Sequence, residues 1–407
     1  MESGRSVLCL DSAYSVREVR EKKHKSFFLA RHASGFFKRV YSVHPYADLV
    51  GAQGRKIDFI RFADNHLVIE ARSKLFKLPS FLFPLNFIAS QFVLLLLLSR
   101  IIRTRNISAI VSADPFYTGL MALLLKWIHR KPLIIRLGAQ YDDIYEATGA
   151  VAMPRLIPSY RIQTKIAGFV LKRADLVGGN NRNNLGYGIT HGARKRTAIM
   201  PISGNIAAIH QVPPSERVGS DETLDTLGIP KGVPLLLYVG RLLKLKHADD
   251  ALRAMAYVIK RRPKAVGLLA GTGELLDELK ALARELGVEG SIRFLGQVDQ
   301  RSLSLIAPHA ITISPHTGLS LIECALGGSP IVAYNRDWQP EFIEDNVNGF
   351  IVPFLDHETM GKRALQILED PELRQRLSVA IRARGLRQID ADEVRRLEWT
   401  ALQGIVD

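Results

Sequence analysis

Short, wholly apolar runs alternate with longer amphipathic ones over most of this 407-residue chain. In the first half, "ISAIVSA" (107–113) and "KPLIIRLG" (131–138) read as buried strands, with "YTGLMALLLKWIHR" (117–130) as the helix between them. The helix "IQTKIAGFVLK" then leads into a strand at "RADLVGGN" (173–180). A second series opens at "VPLLLYVG" (233–240) and continues through "AVGLLAG", "SIRFLG", "ITISPH", "SPIVAY" and "GFIVP". Helical stretches separate these: "DDALRAMAYVIKRR", "LLDELKALARELGV", "RSLSLIAPHA" and "LSLIECALG". Strands without polar alternation are those covered on both faces, and with intervening helices they predict parallel sheets. Leu252, Met255, Ala256 and Ile259 fall at i, i+3, i+4 and i+7, the one-sided stripe of a helix lying on a sheet. Residues 199–232, rich in Pro, Ser and Gly, read as a linker with one helical turn. The fold class is α/β, with two Rossmann-like, doubly wound halves occupying residues 1–205 and 206–385 and a last helix at 386–407.

Composition narrows the function classes. Cys9 and Cys324 lie far apart and have no metal-ligand spacing, so neither a disulfide framework nor a zinc site is expected. A reducing cytoplasm fits, and the first apolar run, "SVLCL", is too short for the core of a signal peptide. The formal charge of +15 calls for a partner or a strongly solvated surface. Lys and Arg alternate with aromatics between Arg17 and Val40, and three readings stand: a solvated basic face, an anionic membrane surface, or nucleic acid. No nucleic-acid module is present in the sequence. The stretch "FLFPLNFIASQFVLLLLLSRII" (81–102) is interrupted by Pro84, Asn86, Ser90 and Gln91, leaving an unbroken core shorter than the roughly 20 residues of a spanning helix. It reads as a buried or interface-lying helix, with Arg100, Arg103 and Arg105 placed to meet lipid phosphates.

In open α/β sheets, ligands sit at the carboxyl ends of the strands, so the strand-to-helix turns are the candidate site. After "VPLLLYVG", Gly240 permits a sharp exit, and Arg241 and Lys246 follow before a helix starts. A guanidinium, an ammonium and a helix start make an anion receptor suited to a pyrophosphate; the alternative is two cations covering a sheet edge. Gly271 and Gly273 mark either a plain tight turn or a close approach by a ligand. Gly296 ends the next apolar strand. In "SPHTGLSLIECALGG", Gly318, Leu319 and Ser320 offer free amides, while Glu323 sits among Ile322, Ala325 and Leu326. A carboxylate there needs partners, either the vicinal hydroxyls of a ribose or a cation such as Arg241.

These four turns, in strand order, resemble the retaining GT-B glycosyltransferases, specifically family 4. The likeness is strong over residues 230–360 and looser over 105–205. It implies two domains facing across a cleft and diphosphate binding by Gly240, Arg241 and Lys246. The family's Glu-x7-Glu motif ends at Glu323, which implies a grip on the donor ribose. Pro330, Glu341 and Gly349 continue the pattern. Trp399 resembles the aromatic of a terminal helix that crosses back to the N-terminal domain. Departures are specific: the motif's first Glu falls on Pro315, the Gly after the Lys is His247, a frequent first-domain His falls near Leu137, and the early Gly-Gly loop is absent from "CLDSAYSV".

The resemblance implies an enzyme that moves a sugar from a UDP-, GDP- or similar nucleoside-diphosphate sugar to an acceptor hydroxyl, with retention and without a metal or cofactor. Arg241, Lys246 and Glu323 are expected to carry the chemistry. The base is expected near Gly296, Gln297 and Val298, and the rest of the donor by Gly271, Gly273, His316, Thr317, Gly318, Leu319 and Ser320. Asp114, Gln140, Tyr141 and Asp142, with Asp143, are the acceptor-side candidates; each is equally readable as a surface polar residue. A glycan or lipid-linked acceptor is expected, as is peripheral attachment to the inner face of the cell membrane. The alternative is a non-catalytic, glycosyltransferase-like subunit that binds nucleotide or glycan at a membrane.

Overall fold

The computed structural model describes residues 4–21, 28, 35–50, 52, 57–201 and 206–406. Much of the basic, aromatic stretch between Arg17 and Val40 lies outside the described residues. The chain divides into two compact units, residues 1–205 with 391–407 and residues 206–390.

Unit 1 is built on an eight-stranded sheet. Its strands are β1 (Ser6–Leu10), β2 (Arg39–His44), β3 (Asp58–Ala63), β4 (His66–Glu70), β5 (Ile107–Ser112), β6 (Leu133–Leu137), β7 (Leu176–Gly179) and β8 (Arg196–Ile199). Their order is β3-β4-β2-β1-β5-β6-β7-β8. Every pairing is parallel except the β3–β4 edge, which is antiparallel. β3 departs from the parallel expectation because it is a half-exposed edge strand, and a short turn to its neighbour suffices for an antiparallel pair. Central β1, β6 and β7 are buried along their whole length, as mainly apolar strands covered on both faces are.

Helices Phe83–Thr104, Tyr117–His129 and Tyr160–Leu171 cover one face of this sheet, sharing a core that includes Leu94, Leu98, Met121, Ile135 and Ala167. By length and composition, Ser80–Thr104 could cross a membrane. In the fold it is a member of the helix layer, with Asn86, Ser90 and Gln91 turned inward. Asn86 Oδ1 accepts from the Leu75 and Phe76 amides, Ser90 Oγ donates to the Arg72 carbonyl, and Gln91 Nε2 donates to the Pro45 carbonyl.

The last helix, Ala391–Val406, covers the opposite face, where Leu402 and Val406 join Val7, Cys9, Ala109, Val111 and Ile134. Arg136 on β6 donates from Nη1 to Glu398 at 2.6 Å and from Nη2 to the Met200 carbonyl at 3.2 Å. Trp399 meets Phe36 edge-on at 5.9 Å.

Unit 2 has a six-stranded, fully parallel sheet in the order β11-β10-β9-β12-β13-β14. These are β9 (Leu235–Val239), β10 (Val266–Ala270), β11 (Ile292–Gly296), β12 (Ala310–Ser314), β13 (Ile331–Tyr334) and β14 (Phe350–Val352). The expected stripe on helix Ala248–Arg261 is buried at Leu252, Met255, Ala256 and Ile259. The segment expected to be helical through Ala310 stops at Ile306, because Pro308 starts a tight turn and Ala310 already opens β12. The linker is firmly held: buried Arg217 donates to the carbonyls of Val212, Ser304 and Leu326, and helix Ser220–Thr226 follows it.

Each sheet winds outward from its middle. The order reverses between β1 and β5 in unit 1 and between β9 and β12 in unit 2, the crevices where open α/β sheets bind ligands.

Candidate functional site

The floor of the unit 2 crevice is three loops hydrogen-bonded backbone to backbone. The Gly240 amide donates to Ala270 O at 3.0 Å, the Leu242 amide to Thr272 O at 2.9 Å, and the Gly271 amide to Gly296 O at 2.7 Å. This explains two glycines. A Cβ on Gly271 would collide with the carbonyl oxygen of Gly240, and one on Gly273 with that of Leu242. Gly271 also sits at φ 155° and Gly296 at φ 66°. The close approach is therefore made by the neighbouring loop. Gln297 is exposed beyond it, while Val298 packs back against the core of this face.

Above that floor stand two cations. Arg241 is exposed, and Lys246 closes the tight turn Lys244–Lys246. The Lys246 ammonium has no hydrogen-bond or ion-pair partner among the described residues. Burial, aided by the positive charge of Arg241, holds its ammonium below the usual lysine range, with Asp337 opposing the shift. The next residue, His247, takes the left-handed conformation at φ 50°, which explains why glycine is usual there in the family it resembles. Its ring lies edge-on to Phe354 at 5.3 Å and to Tyr334 at 6.4 Å, packing that holds the unfavourable backbone in place.

The turn after β12 forms the facing wall. Gly318 has open space where a side chain would stand. The amides of Gly318, Leu319 and Ser320 donate to no protein acceptor among the described residues. Helix Ser320–Leu326 is fastened to β9, since Ser320 Oγ donates to Val239 O at 3.0 Å.

Glu323 is 8 % exposed, and its carboxylate has neither a hydrogen bond nor a cation within ion-pair distance among the described residues. The alternative pairing with Arg241 is not made. Burial pushes its carboxyl up to about 7.

His316 and Thr317 are already engaged. Thr317 Oγ1 lies 2.5 Å from Ser314 Oγ, inside the protein. His316 places Nδ1 2.8 Å from the Leu245 carbonyl and Nε2 3.0 Å from Asp337 Oδ2.

Three residues of the turn after β13 belong to this wall and have no counterpart in the sequence expectations: Asp337, Trp338 and Gln339. Asp337 adopts φ 56°. Trp338 Nε1 donates to Thr317 O at 3.3 Å. Gln339, fully buried, donates to the Pro315 carbonyl at 2.8 Å and accepts from Ser314 Oγ at 2.8 Å. Their signal was the polar cluster "NRDWQ" directly after an apolar strand, at the same sheet end as the other turns.

In unit 1, the residues following β5 and β6 are held by local bonds. Asp114 caps its own turn, accepting from the Phe116 amide at 2.8 Å and from Thr118 Oγ1 at 2.5 Å. Gln140 caps helix Tyr141–Thr148 through the Asp142 amide at 2.9 Å. Asp142 takes the Tyr160 hydroxyl on one oxygen and His191 Nε2 on the other, both at 2.7 Å. Tyr141 sits between Phe116 and Tyr187, at ring distances of 4.8 and 5.2 Å. Asp143 lies in the first turn of the same helix. Leu137 is buried at the end of β6. Among the described residues, no three His, Cys, Asp or Glu side chains gather as a metal-binding group.

Residues 220–384 match the family model "Glycosyl transferases group 1". A D-inositol 3-phosphate glycosyltransferase of Saccharomonospora viridis is 30% identical over 187 residues, covering 42% of this chain and 41% of that protein. The lipopolysaccharide core biosynthesis glycosyltransferase LpsE of Rhizobium meliloti is 32% identical over 155 residues, covering 37% and 44%. The chain thus spans less than half the length of these curated relatives. Among solved structures, Anabaena Alr3699/HepE in complex with UDP and glucose superposes with a TM-score of 0.71 at 16% identity, covering 98% of this chain and 100% of that one. Residues 220–384 therefore carry a glycosyl transferases group 1 domain, within a chain whose fold is GT-B.

Proposed function

We propose that this protein transfers a sugar from a UDP-, GDP- or similar nucleoside-diphosphate sugar to an acceptor hydroxyl, with retention and without a metal ion. The reading is carried by one observation: a buried carboxylate with no cation partner, three unbonded amides and two cations all lie on the strand-to-helix turns at the switch point of unit 2. Each of those groups has an unmet requirement that one nucleotide sugar meets. Ribose hydroxyls donate to Glu323, the base rests near Gly296, Gln297 and Val298, and the diphosphate takes Arg241, Lys246 and the amides of Gly318–Ser320.

In the reaction, the bond from sugar C1 to the diphosphate oxygen breaks, the acceptor oxygen bonds C1, and the hydroxyl proton leaves with the diphosphate. Fixed cations and amides stabilise the charge that develops on the leaving group. Retention rests on the family likeness alone, and NMR of the anomeric proton in the product reads it directly.

The acceptor class is a membrane-borne glycan or lipid-linked sugar, recognised by unit 1 with Asp114, Gln140, Tyr141 and Asp142 as candidates. A place in cell-surface polysaccharide or glycolipid synthesis is supported by the relatives' names, which include lipopolysaccharide core biosynthesis. Thermal unfolding against a panel of UDP-, GDP-, ADP- and TDP-sugars tests the donor, because a ligand of the folded state raises its melting point. The expected result is a rise with one base class that Arg241→Ala and Lys246→Ala abolish. No rise with any donor would refute the reading. Binding without turnover on any cell-extract acceptor would instead indicate a glycosyltransferase-like binding subunit.

A further inference from the structure

Helix Phe83–Thr104 in unit 1 buries Leu94, Leu98, Ile101 and Ile102 toward the sheet and carries an apolar stripe on its outer side as well. Asn86, Ser90 and Gln91 are buried and bonded to unit 1's own backbone, while Leu85 and Ile88 are each 64% exposed, Phe92 58% and Leu96 56%. Leu85, Ile88, Phe92 and Leu96 recur at spacings of three and four, so they form one stripe along the outer side. A helix in water places its apolar stripe toward the core and its polar residues outward. Asn86, Ser90 and Gln91 each bond to backbone on the inner side, so the outer apolar stripe is what the fold leaves uncovered.

The stripe is not alone. Helix Tyr117–His129 packs beside this helix and Tyr160–Leu171 packs beside that one. They expose Trp127 and Phe169, whose rings meet at 6.1 Å. The Arg173 guanidinium lies over the Phe169 ring at 3.9 Å.

Charge identifies the occupant. None of these three helices contains an Asp or Glu, and no acidic residue occurs between Glu70 and Asp114 or between Glu146 and Asp175. The helices end instead in cations: exposed Arg100, Arg103 and Arg105 at one, Arg130 at the next, and Lys172 and Arg173 at the third. All three ends precede strands β5, β6 and β7, so these cations share the amino end of the sheet. A second copy of this chain would bring the same cations against themselves or leave them unpaired. A bilayer rich in anionic lipid supplies an apolar interior for the stripe and phosphates for the rim.

We propose that the outer faces of helices Phe83–Thr104, Tyr117–His129 and Tyr160–Leu171 form the surface by which this protein lies on an anionic lipid bilayer. The inference stands on unit 1 alone and does not rest on the reaction above; it gives that reading's membrane a place on the molecule.

Full-length protein is sedimented with phosphatidylcholine vesicles and with vesicles containing phosphatidylglycerol. Trp127 fluorescence is followed with brominated phosphatidylglycerol. Binding is expected on the anionic vesicles only, with quenching that Trp127→Phe removes. Combined Leu85→Ser, Ile88→Ser, Phe92→Ser and Leu96→Ser should weaken binding about ten-fold or more, as expected for lost burial of four apolar groups. Combined Arg100→Ser, Arg103→Ser and Arg105→Ser should remove the preference for anionic lipid. If the serine variant does not fold, quenching of Trp127 in the native protein still decides. Absence of binding to anionic vesicles, or binding without quenching of Trp127, overturns the proposal. So does a stable dimer, by light scattering, that the serine variant dissociates. The donor-induced rise in melting point is measured without lipid, so failure here is separable from failure of the proposed reaction.

Discussion

Glu323 is in tension between stability and binding. Below about pH 4.5, its ordinary value, the carboxyl is protonated in folded and unfolded chains alike. Between there and about 7 the unfolded chain releases the proton and the folded one keeps it, so the unfolded state binds fewer protons and stability falls as pH rises. Above about 7 the penalty is constant, at up to about 3 kcal/mol. Glu323→Gln should therefore raise the melting point of the ligand-free protein at pH 8 while weakening donor binding. Wild-type donor affinity should increase from pH 6 to pH 8 as the carboxylate ionises, a trend calorimetry would show to be absent in the Gln variant. Arg241→Ala should lower kcat by roughly 100-fold or more, since it removes a charge donor from the leaving group.

At this scale, identity was legible and context was not. The placement of Arg241, Lys246 and Glu323 beyond β9 and β12 was readable because each follows a plainly apolar strand. Asp337 was not, because its relevance depends on a distance to His316 across two loops. Asp337→Asn should cost donor affinity with little change in melting point, and Asp337→Glu should restore part of it, which titration with the donor would measure.

Among elements, the loops of unit 2 work as one piece. Gly271 and Gly273 advertised a sharp turn, but their reason lies about 30 residues away in the carbonyls of Gly240 and Leu242, a separation no local pattern encodes. Either glycine replaced by alanine should push the turn carrying Arg241 out of place. The expected outcome is a loss of donor binding along with a destabilisation of roughly 1–3 kcal/mol, the usual cost of overpacking, followed by urea denaturation. The central strands were plain in the sequence because burial on both faces leaves no polar alternation. Edge strand β3 was not: its residues alternate in exposure and it borrows stability from β4. The helix at 83–104 was legible as a helix, yet which side faced inward depended on where Arg72 and Pro45 place their carbonyls.

At the scale of the molecule, the notable bond is Arg136 to Glu398, which joins residues 262 apart in sequence with both side chains nearly buried. Glu398→Ala would remove the carboxylate paired with that guanidinium, at an expected cost of up to about 3–5 kcal/mol to unit 1, detectable as an earlier unfolding transition. The wider consequence concerns synthesis. The strands of unit 1 precede unit 2 in sequence, but the helix covering one side of their sheet is made only after all of residues 206–390. At the usual 5–20 residues per second, Val7, Val111 and Ile134 await their cover for roughly 10–40 s while the second unit emerges from the ribosome. The sheet of unit 1 is thus finished only after unit 2 has been made, so a translation product that stops before residue 391 would present a sticky, chaperone-seeking sheet even when every strand of unit 1 is intact.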